Sequence, residues 1–288
     1  MMKRMIRRPI TVLACLICAF SVANYHAAAQ SPVAASSFID MKNVANATDA
    51  DAKKAAQTLD QMVAALGGER WMTLNDMETE GRSANFYHGN PAGGYTLFFS
   101  FHRFPSTANP AGEDRIELTN KRNVVEIVTA RDAWEVTFQG KHRDDKLDSD
   151  DFFRRREHSI DSLMRVWLTR PGNVLFYGGR KMTDSHLADE VTVLTADNDS
   201  VTLLIDADTH LPRKRSFQWR DPVYKDRNTD DETYDDWHLA QGLPSSFMIT
   251  RYRNGDMTRQ QYLSKISYNQ ALPDSMFDPD LTAAKLTK

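Results

Sequence analysis

The histidines are the first side chains to consider, because imidazole is the commonest metal ligand and acid–base group near neutral pH. The chain has eight of them, and no two stand four residues apart, the spacing that places two ligands on one face of a helix. The sequence therefore predicts neither a metal site nor a cofactor. The eight are His26, His88, His102, His142, His158, His186, His210 and His238.

Two clusters of acidic residues, within 144–151 and 230–236, are the next candidates. Neither has the alternating oxygen ligands and the glycine of a calcium-binding loop. The first fits the start of a helix, where carboxylates meet the positive end of the helix dipole. We expect the second to form a solvated loop. Carboxylate pairs can also act as acid and base, so a hydrolase with a dispersed site stays an alternative, although the chain has no nucleophile or phosphate-binding motif.

Aromatic residues form the most unusual pattern, since each ring brings roughly 150–250 Å² of surface to bury. Most of them alternate with smaller or polar residues, and Leu97 and Val136 share this alternation. Two interpretations stay open: a packed core, or the lining of an apolar pocket, because ligand sites are concave and mostly apolar. The candidate ligand-binding residues are Tyr95, Leu97, Phe99, Phe101, Trp134, Val136, Phe138, Trp167, Phe217 and Trp219.

The elements that would position these residues follow from the hydrophobic period. Apolar residues at helical spacing predict a helix over 52–66, which Asp49 or Asp51 caps and Gly67 ends. A period of two predicts a meander of antiparallel strands over 94–140, and a second helix is expected over 151–169. Strand patterns return between 174 and 268. About ten strands and two helices result, and their segregation indicates an α+β fold.

The N-terminus has the three parts of a secretory signal peptide: basic residues at 3–8, an apolar run over 10–22, and the small residues 27–29. We expect cleavage near Ala29, then a flexible small and polar leader over 30–48 and a single domain over 49–288. Both cysteines, Cys15 and Cys18, lie in the signal segment, so no disulfide is expected in the mature chain. The alternative is a lipid anchor on Cys15, because residues 12–15 resemble a lipoprotein cleavage box.

The charge balance excludes one class of partner. The formal net charge is −3, and removal of residues 1–29 takes away four basic residues and no acidic one. Without a basic stripe, the chain is not expected to bind nucleic acid.

Four stretches resemble, in the same order, landmarks of the periplasmic lipoprotein-carrier superfamily, which includes the outer-membrane lipoprotein-sorting chaperone. In the first, an apolar strand ends in Asp206 and turns through a polar loop to Leu211 and Pro212. The last would fix the final strand by burying Leu272 and Phe277. The stretches are residues 201–214, 234–237, 241–249 and 268–277. A charged insertion over 220–236 departs from the sorting chaperone.

The resemblance implies an incomplete antiparallel β-barrel packed on two or more helices, with an apolar cavity that in relatives holds acyl chains. The expected function is a periplasmic, non-enzymatic binder or carrier of a lipid-like or lipoprotein ligand. The alternatives are a cell-envelope interaction or stress-sensing module, which would contact an envelope or membrane protein, and the hydrolase described above.

Overall fold

One antiparallel sheet organises the part of the chain that the structure describes. The computed structural model describes residues 37–106, 109–183 and 185–287. The predicted signal peptide, Cys15 and residues 30–36 of the predicted leader lie outside these residues.

The elements are as follows. The helices are α1 (Ala50–Leu66), α2 (Glu69–Met72), α3 (Lys146–Glu157), α4 (Ile160–Ser162), which continues as a π-helical turn over Leu163–Trp167, and α5 (Pro279–Leu286). The strands of the described residues are β1 (Asp76–Tyr87), β2 (Asn90–Pro91), β3 (Thr96–Arg103), β4 (Glu113–Leu118), β5 (Val124–Val128), β6 (Ala133–Thr137), β7 (Gly140–Arg143), β8 (Val174–Thr183), β9 (His186–Leu194), β10 (Ser200–Asp206), β11 (Pro212–Arg220), β12 (Arg227–Ala240), β13 (Leu243–Arg253) and β14 (Asp256–Tyr268).

The sheet is open. Its strand order is β7-β6-β5-β4-β3-β1-β14-β13-β12-β11-β10-β9-β8, and β2 pairs with β1 beside this path. The edges β7 and β8 lie at opposite ends of the order, while a long-range pairing joins β1 to β14 in the middle, for example Met77 to Tyr268. The α+β class and the incomplete antiparallel barrel are confirmed. The described residues form fourteen strands where the sequence predicts about ten.

Helix α1 packs on the inside of the sheet, mainly against β8 and β9. Its apolar stripe, which includes Leu59, Met62 and Val63, is fully buried against residues such as Val191 and Leu203. Each such side chain contributes about 1.5–3 kcal/mol through burial. Asp49 stands at the N-cap position and Gly67 ends the helix at φ +123°, as the sequence predicts.

The second predicted helix is divided into two, because His158 interrupts it. The helix begins at Lys146, with Asp145 at its N-cap position, so the first acidic cluster does surround a helix start. His158 Nδ1 lies 2.7 Å from the carbonyl oxygen of Arg154, and its Nε2 lies 3.0 Å from an Asp199 carboxylate oxygen. The Ser159 hydroxyl then caps α4 by accepting from the Ser162 N–H. A single helix over 151–169 is therefore a wrong prediction.

The two faces of the sheet carry different helices. We call the face that carries α1 and α3 the inner face, and the opposite face the outer face. Helix α5 packs on the outer face, where Ala283 and Leu286 cover the buried side chains of Val125, Ile127 and Val136. Leu272 and Phe277 are buried just before it, as the closing stretch predicts.

Residues 37–48 correct the prediction of a flexible leader that extends to residue 48. Ile39 and Val44 are buried in the main core. The backbone N–H groups of Phe38 and Ile39 donate to the Asp60 carboxylate at 2.6 and 3.1 Å. Composition alone misses these contacts, because two buried apolar residues, Ile39 and Val44, suffice to anchor an otherwise polar segment.

The charged insertion over 220–236 is largely strand β12, so the prediction of a solvated acidic loop is wrong. Asp230 is buried, and its carboxylate accepts from the Trp219 indole at 2.6 Å and from the Arg253 guanidinium at 3.2 Å. Buried carboxylates are tolerated when they are paired in this way. Asp230 and Glu232 therefore help to build the inside of the sheet.

Candidate ligand-binding cavity

A large cavity lies between the inner face and the segment α3–α4, and we call it the inner cavity. Its volume is about 660 Å³, within the range of roughly 300–1,000 Å³ that is usual for ligand pockets. Strands β1, β3–β6 and β12–β14 form one wall, and residues of α3 and α4 form the other. Leu66 and Trp71 close the end beside α1 and α2.

Strand alternation decides which side chains reach the inner cavity. On β3 they are Phe98, Ser100 and His102, so the intervening Leu97, Phe99 and Phe101 point to the outer face. The ten residues that the sequence analysis proposes as ligand-binding are therefore not in the wall of the inner cavity. A period of two shows that one face of a strand is buried. It does not show which face lines the inner cavity.

On the outer face, Phe99 and Phe101 pack against Leu272 and Phe277. The Arg122 guanidinium covers the Phe99 ring at 4.3 Å. Leu97 is half-buried on the same face of β3. These residues form a small second core that holds the C-terminal segment against the sheet.

The β5–β7 part of the outer face accounts for three more candidates. Val136 is fully buried beneath α5, and Trp134 packs beside it. Phe138 is 66% exposed in the turn after β6. Tyr95, which precedes β3, is 65% exposed and contacts the Tyr262 ring edge-on at 6.2 Å. The aromatic stripe thus splits between core and surface.

The remaining candidates belong to the core around His158. The His158 ring stacks on Phe217 at 4.1 Å and meets Trp167 edge-on at 5.2 Å. Trp219 lies between two guanidinium groups, with Arg154 at 3.6 Å and Arg253 at 5.4 Å from its ring. For this cluster the core interpretation is correct.

The apolar lining of the inner cavity comes from other residues. It consists of Leu66, Trp71, Met77, Phe98, Phe104, Ile116, Val128, Ala133, Phe152, Ile160, Tyr234, Trp237, Ile249, Leu263, Ile266 and Tyr268. Between Met77 and Phe98 the wall of the cavity leaves extra space. Thr79 and Ser100 are small cross-strand partners there, and Gly81 has no side chain. A Cβ on Gly81 would lie 2.3 Å from the Tyr262 carbonyl oxygen, so glycine is required at this irregularity of the pairing.

His102, Asp114 and Arg156 form a buried polar triad beside the inner cavity, near Met77. His102 Nδ1 is 2.7 Å from one Asp114 carboxylate oxygen, and Arg156 donates to the other at 3.0 Å. Burial acts to lower the pKa of His102, but the Asp114 carboxylate outweighs it and raises that pKa above its usual range. His102 and Asp114 meet the arrangement expected of an acid–base pair, yet among the described residues no hydroxyl nucleophile is hydrogen-bonded to His102.

Arginines dominate the other end of the cavity. Arg251 Nε donates to Glu232 at 2.7 Å, and Arg155 pairs with Asp151. Burial lowers the pKa of Arg259 to about 10, and the neighbouring Arg251 acts in the same direction. Burial opposes the ionised form of Glu232, but Arg215 and Arg251 outweigh it and lower its pKa to about 2.

Carboxylates lie on the wall opposite these arginines. Glu126 and Glu135 are cross-strand partners on β5 and β6, and Asp144 and Asp148 follow β7. Burial raises the pKa of Glu126, and the nearby Asp144 and Glu135 add to the effect. Glu135 is exposed, so this acidic wall lies at the mouth of the cavity.

A second cavity of about 740 Å³ lies between the residues around Phe38, the β3–β4 loop and α4. Its walls contain many loop residues, including Asn75, Ser106 and Asn109. Its lining includes Ser106 and Asn109, and the two residues between them are outside the described part of the chain. We therefore regard the inner cavity, whose walls are strands and helices, as the candidate site.

Residues 37–106, 109–183 and 185–287 contain no group of three or more His, Cys, Asp or Glu placed to hold a metal ion. Within the same ranges no helix combines the length and the hydrophobicity needed to span a bilayer.

Comparisons with known proteins identify the fold. No protein-family profile and no curated protein matches the sequence. The structure is similar to a DUF1329-family protein from Desulfovibrio piger, with a TM-score of 0.56 and 12% identity, over 79% of this chain and 98% of that chain.

A second similar structure is described as an outer membrane lipoprotein-sorting protein domain from Vibrio parahaemolyticus, with a TM-score of 0.54 and 8% identity, over 81% of this chain and 100% of that chain. A LolA superfamily protein from Nitrosomonas europaea matches with a TM-score of 0.47 and 12% identity, over 81% of this chain and 99% of that chain. The first two comparisons show that the chain shares its fold with an outer membrane lipoprotein-sorting protein domain, in agreement with the resemblance of its four sequence stretches.

Proposed function

We propose that this protein is a non-enzymatic binder or carrier of a lipid-like or acylated ligand, which it holds in the inner cavity. The observation that carries the proposal is a 660 Å³ space lined by Trp71, Phe98, Phe104 and Ile266, inside a fold shared with a lipoprotein-sorting domain. Burial of an acyl chain there would contribute about 0.8 kcal/mol per methylene.

The cellular setting is part of the same proposal. The sequence supports export by a signal peptide cleaved near Ala29 and a periplasmic location, with attachment through Cys15 as the alternative. An envelope or membrane protein would then deliver or receive the ligand.

The first experiment is native mass spectrometry of the protein purified from its own envelope, followed by denaturation and lipid extraction. Release of an acylated molecule in near-stoichiometric amount supports the proposal. Protein that arrives empty and takes up no fluorescent fatty-acid probe contradicts it.

A cavity-filling variant tests whether the ligand binds in the inner cavity. Ser100→Trp places an indole on the inner face between Thr79 and Ile116, and we expect it to reduce probe uptake at least tenfold. Lys265→Trp adds the same ring to an exposed outer position of β14 and serves as the control. If Ser100→Trp does not fold, Thr79→Phe fills the same stretch. Equal uptake by the cavity variant and the control would exclude the inner cavity as the binding site.

The hydrolase alternative has one observation in its favour, the His102–Asp114 pair in the cavity wall. Arg156 also binds Asp114, so the pair is held in an ionic network. A p-nitrophenyl ester with a long acyl chain tests this alternative. We expect no turnover above that of the His102→Gln variant, and His102-dependent turnover would favour the hydrolase.

A further inference from the structure

Three arginines from three different elements converge on the inner cavity. Arg155 comes from α3, Arg251 from β13 and Arg259 from β14, and all three line the cavity. Arg251 and Arg259 are direct cross-strand partners. Like charges directly opposite one another destabilise a sheet, so packing alone does not explain this arrangement.

The three guanidinium groups have far more donors than protein acceptors. Each guanidinium carries five N–H donors. Arg251 donates to Glu232, Arg155 donates to Asp151, and Arg259 makes one long contact of 3.5 Å with the Ser83 hydroxyl. Arg259 Nε is buried and has no hydrogen-bond partner among the described residues. The Nε atoms of Arg156, Arg165 and Arg215 are also unpaired, but other nitrogens of Arg156 and Arg165 donate to protein acceptors at 3.0 Å or less, and Arg259 has no contact that short.

The neighbouring acids are already engaged by other cations. Glu232 also pairs with Arg215 at 3.5 Å, and Asp151 also binds Arg154 and Arg253, at 3.1 and 2.5 Å. Arg253 also binds Asp230 at 3.2 Å, so three carboxylates are shared among these five arginines. Glu126 attracts the Arg259 guanidinium, but among the described residues no hydrogen bond joins the two, so Arg259 keeps unpaired donors in a partly buried place.

This end lies far from the apolar end along the strands. Tyr268 and Arg259 pair with Met77 and Asn85 of β1, respectively, and eight residues of strand span roughly 26 Å. Phe98 and Leu263 lie between these positions on the cavity wall. The cavity thus presents an elongated apolar path that finishes at a cluster of cations.

We propose that Arg155, Arg251 and Arg259 bind the oxyanion headgroup, a carboxylate or a phosphate, of an amphiphile whose chain lies along the apolar path. This inference rests on the proposed function and adds the chemical class of the ligand. Arginine suits the role, because its planar fork binds both kinds of oxyanion in a bidentate manner.

The opposite wall limits the charge of the headgroup. Glu126 faces Arg259, and Glu135 and Asp144 lie beside Glu126 at the mouth. A headgroup with one negative charge can lie against the arginines away from these carboxylates. A headgroup with several charges would meet them, so the cavity selects monoanionic amphiphiles.

The test compares three probes of equal chain length: palmitic acid, the phosphodiester palmitoyl-lysophosphatidylglycerol, and uncharged monopalmitoylglycerol. Charge-assisted hydrogen bonds lead us to expect that the wild type binds at least one anionic probe about 10- to 100-fold more tightly than the uncharged probe. We expect Arg259→Met to lose most of this preference while it still binds monopalmitoylglycerol. Arg155→Met is the second variant if Arg259→Met does not fold.

The matched control is Arg82→Met, which removes an exposed arginine from the outer face of β1. It should keep the wild-type preference. A wild type that binds all three probes equally, or an Arg259→Met variant that keeps the preference, overturns the headgroup site and leaves the carrier proposal standing. Binding of none of the probes overturns both proposals. The tighter of the two anionic probes identifies the headgroup as carboxylate or phosphate.

Discussion

Arg251 and Arg259 lie directly opposite each other on β13 and β14, and both side chains line the inner cavity. Glu232 partners Arg251 on the other side, on β12. Arg215, Glu232, Arg251 and Arg259 are thus successive cross-strand partners. Glu232 separates Arg215 from Arg251, but no acid separates Arg251 from Arg259. Several consequences of this charge pattern can be measured.

The ligand-free protein should become more stable when Arg259 loses its charge. Its pKa in the folded protein, about 10, lies below the usual 12.5, so the charged guanidinium destabilises the fold at every pH at which it is ionised. We expect Arg259→Met to raise the free energy of unfolding by on the order of 1–2 kcal/mol at pH 7. Urea unfolding without ligand measures this, and Arg82→Met should change little. A clear destabilisation by Arg259→Met would show that Arg259 is a structural ion-pair partner.

Glu232 should support the fold at neutral pH and much less in acid. Its pKa in the folded protein, about 2, is below the usual 4.5, so its contribution is present above pH 4.5 and is lost as the pH falls toward 2. We expect Glu232→Gln to lower the free energy of unfolding by about 3 kcal/mol at pH 7. The difference from the wild type should shrink at pH 3. The exposed Glu157→Gln is the control, and a difference independent of pH would contradict the assignment.

The outer face should govern stability without governing ligand uptake. Phe277 is buried, and the Arg103 guanidinium lies 4.5 Å from its ring. We expect Phe277→Ala to lower the free energy of unfolding by about 2–4 kcal/mol and to leave uptake of the fluorescent fatty acid unchanged. Phe98→Ala, in the inner cavity, should weaken uptake. If Phe277→Ala loses uptake at a temperature at which it stays folded, the outer aromatic residues belong to the ligand-binding site.

His102 should titrate above the usual imidazole range. Its pKa is raised because Asp114 outweighs burial, so its contribution to stability is fully present below pH 6.5 and is lost as the pH rises through the folded-state pKa. NMR titration of the His102 ring measures that pKa directly, and Asp114→Asn should lower it. The effect of His102→Gln on unfolding should be largest below pH 6.5. The exposed His142→Gln is the control variant, and a His102 pKa below 6.5 would refute the prediction.

Much of the fold was accessible from the sequence. The period of two over 94–140 and the glycine stop after residue 66 correspond to observed elements. The hydrophobic pattern of the sequence does not predict strand β1, because its inward positions Thr79, Gly81 and Ser83 are small or polar rather than apolar. Thr79 lines the cavity, whereas Gly81 has no room for a side chain because a Cβ would meet the Tyr262 carbonyl oxygen. The local signal for a strand is thus weakest where the fold leaves room for a ligand.

The arginine cluster of the candidate site, in contrast, cannot be predicted from the sequence. Arg155, Arg251 and Arg259 lie in separate segments, and no spacing along the chain connects them. Their meeting depends on the pairing of β13 with β14 and on the placement of α3 over the sheet. The aromatic stripe, by contrast, is visible in the sequence, but a shift of one residue in the alternation moves a whole stripe between the two faces.

The pairing of β1 with β14 also constrains how the chain folds. Strands β3–β7 and β8–β13 are built from neighbours along the chain, whereas the central pair joins Met77 to Tyr268. Contacts between such distant residues slow folding, because a long loop must close before they form. The two meanders can form early, but the middle of the sheet is completed last. The chain should therefore remain incompletely folded, and without a closed inner cavity, until its final strand is available.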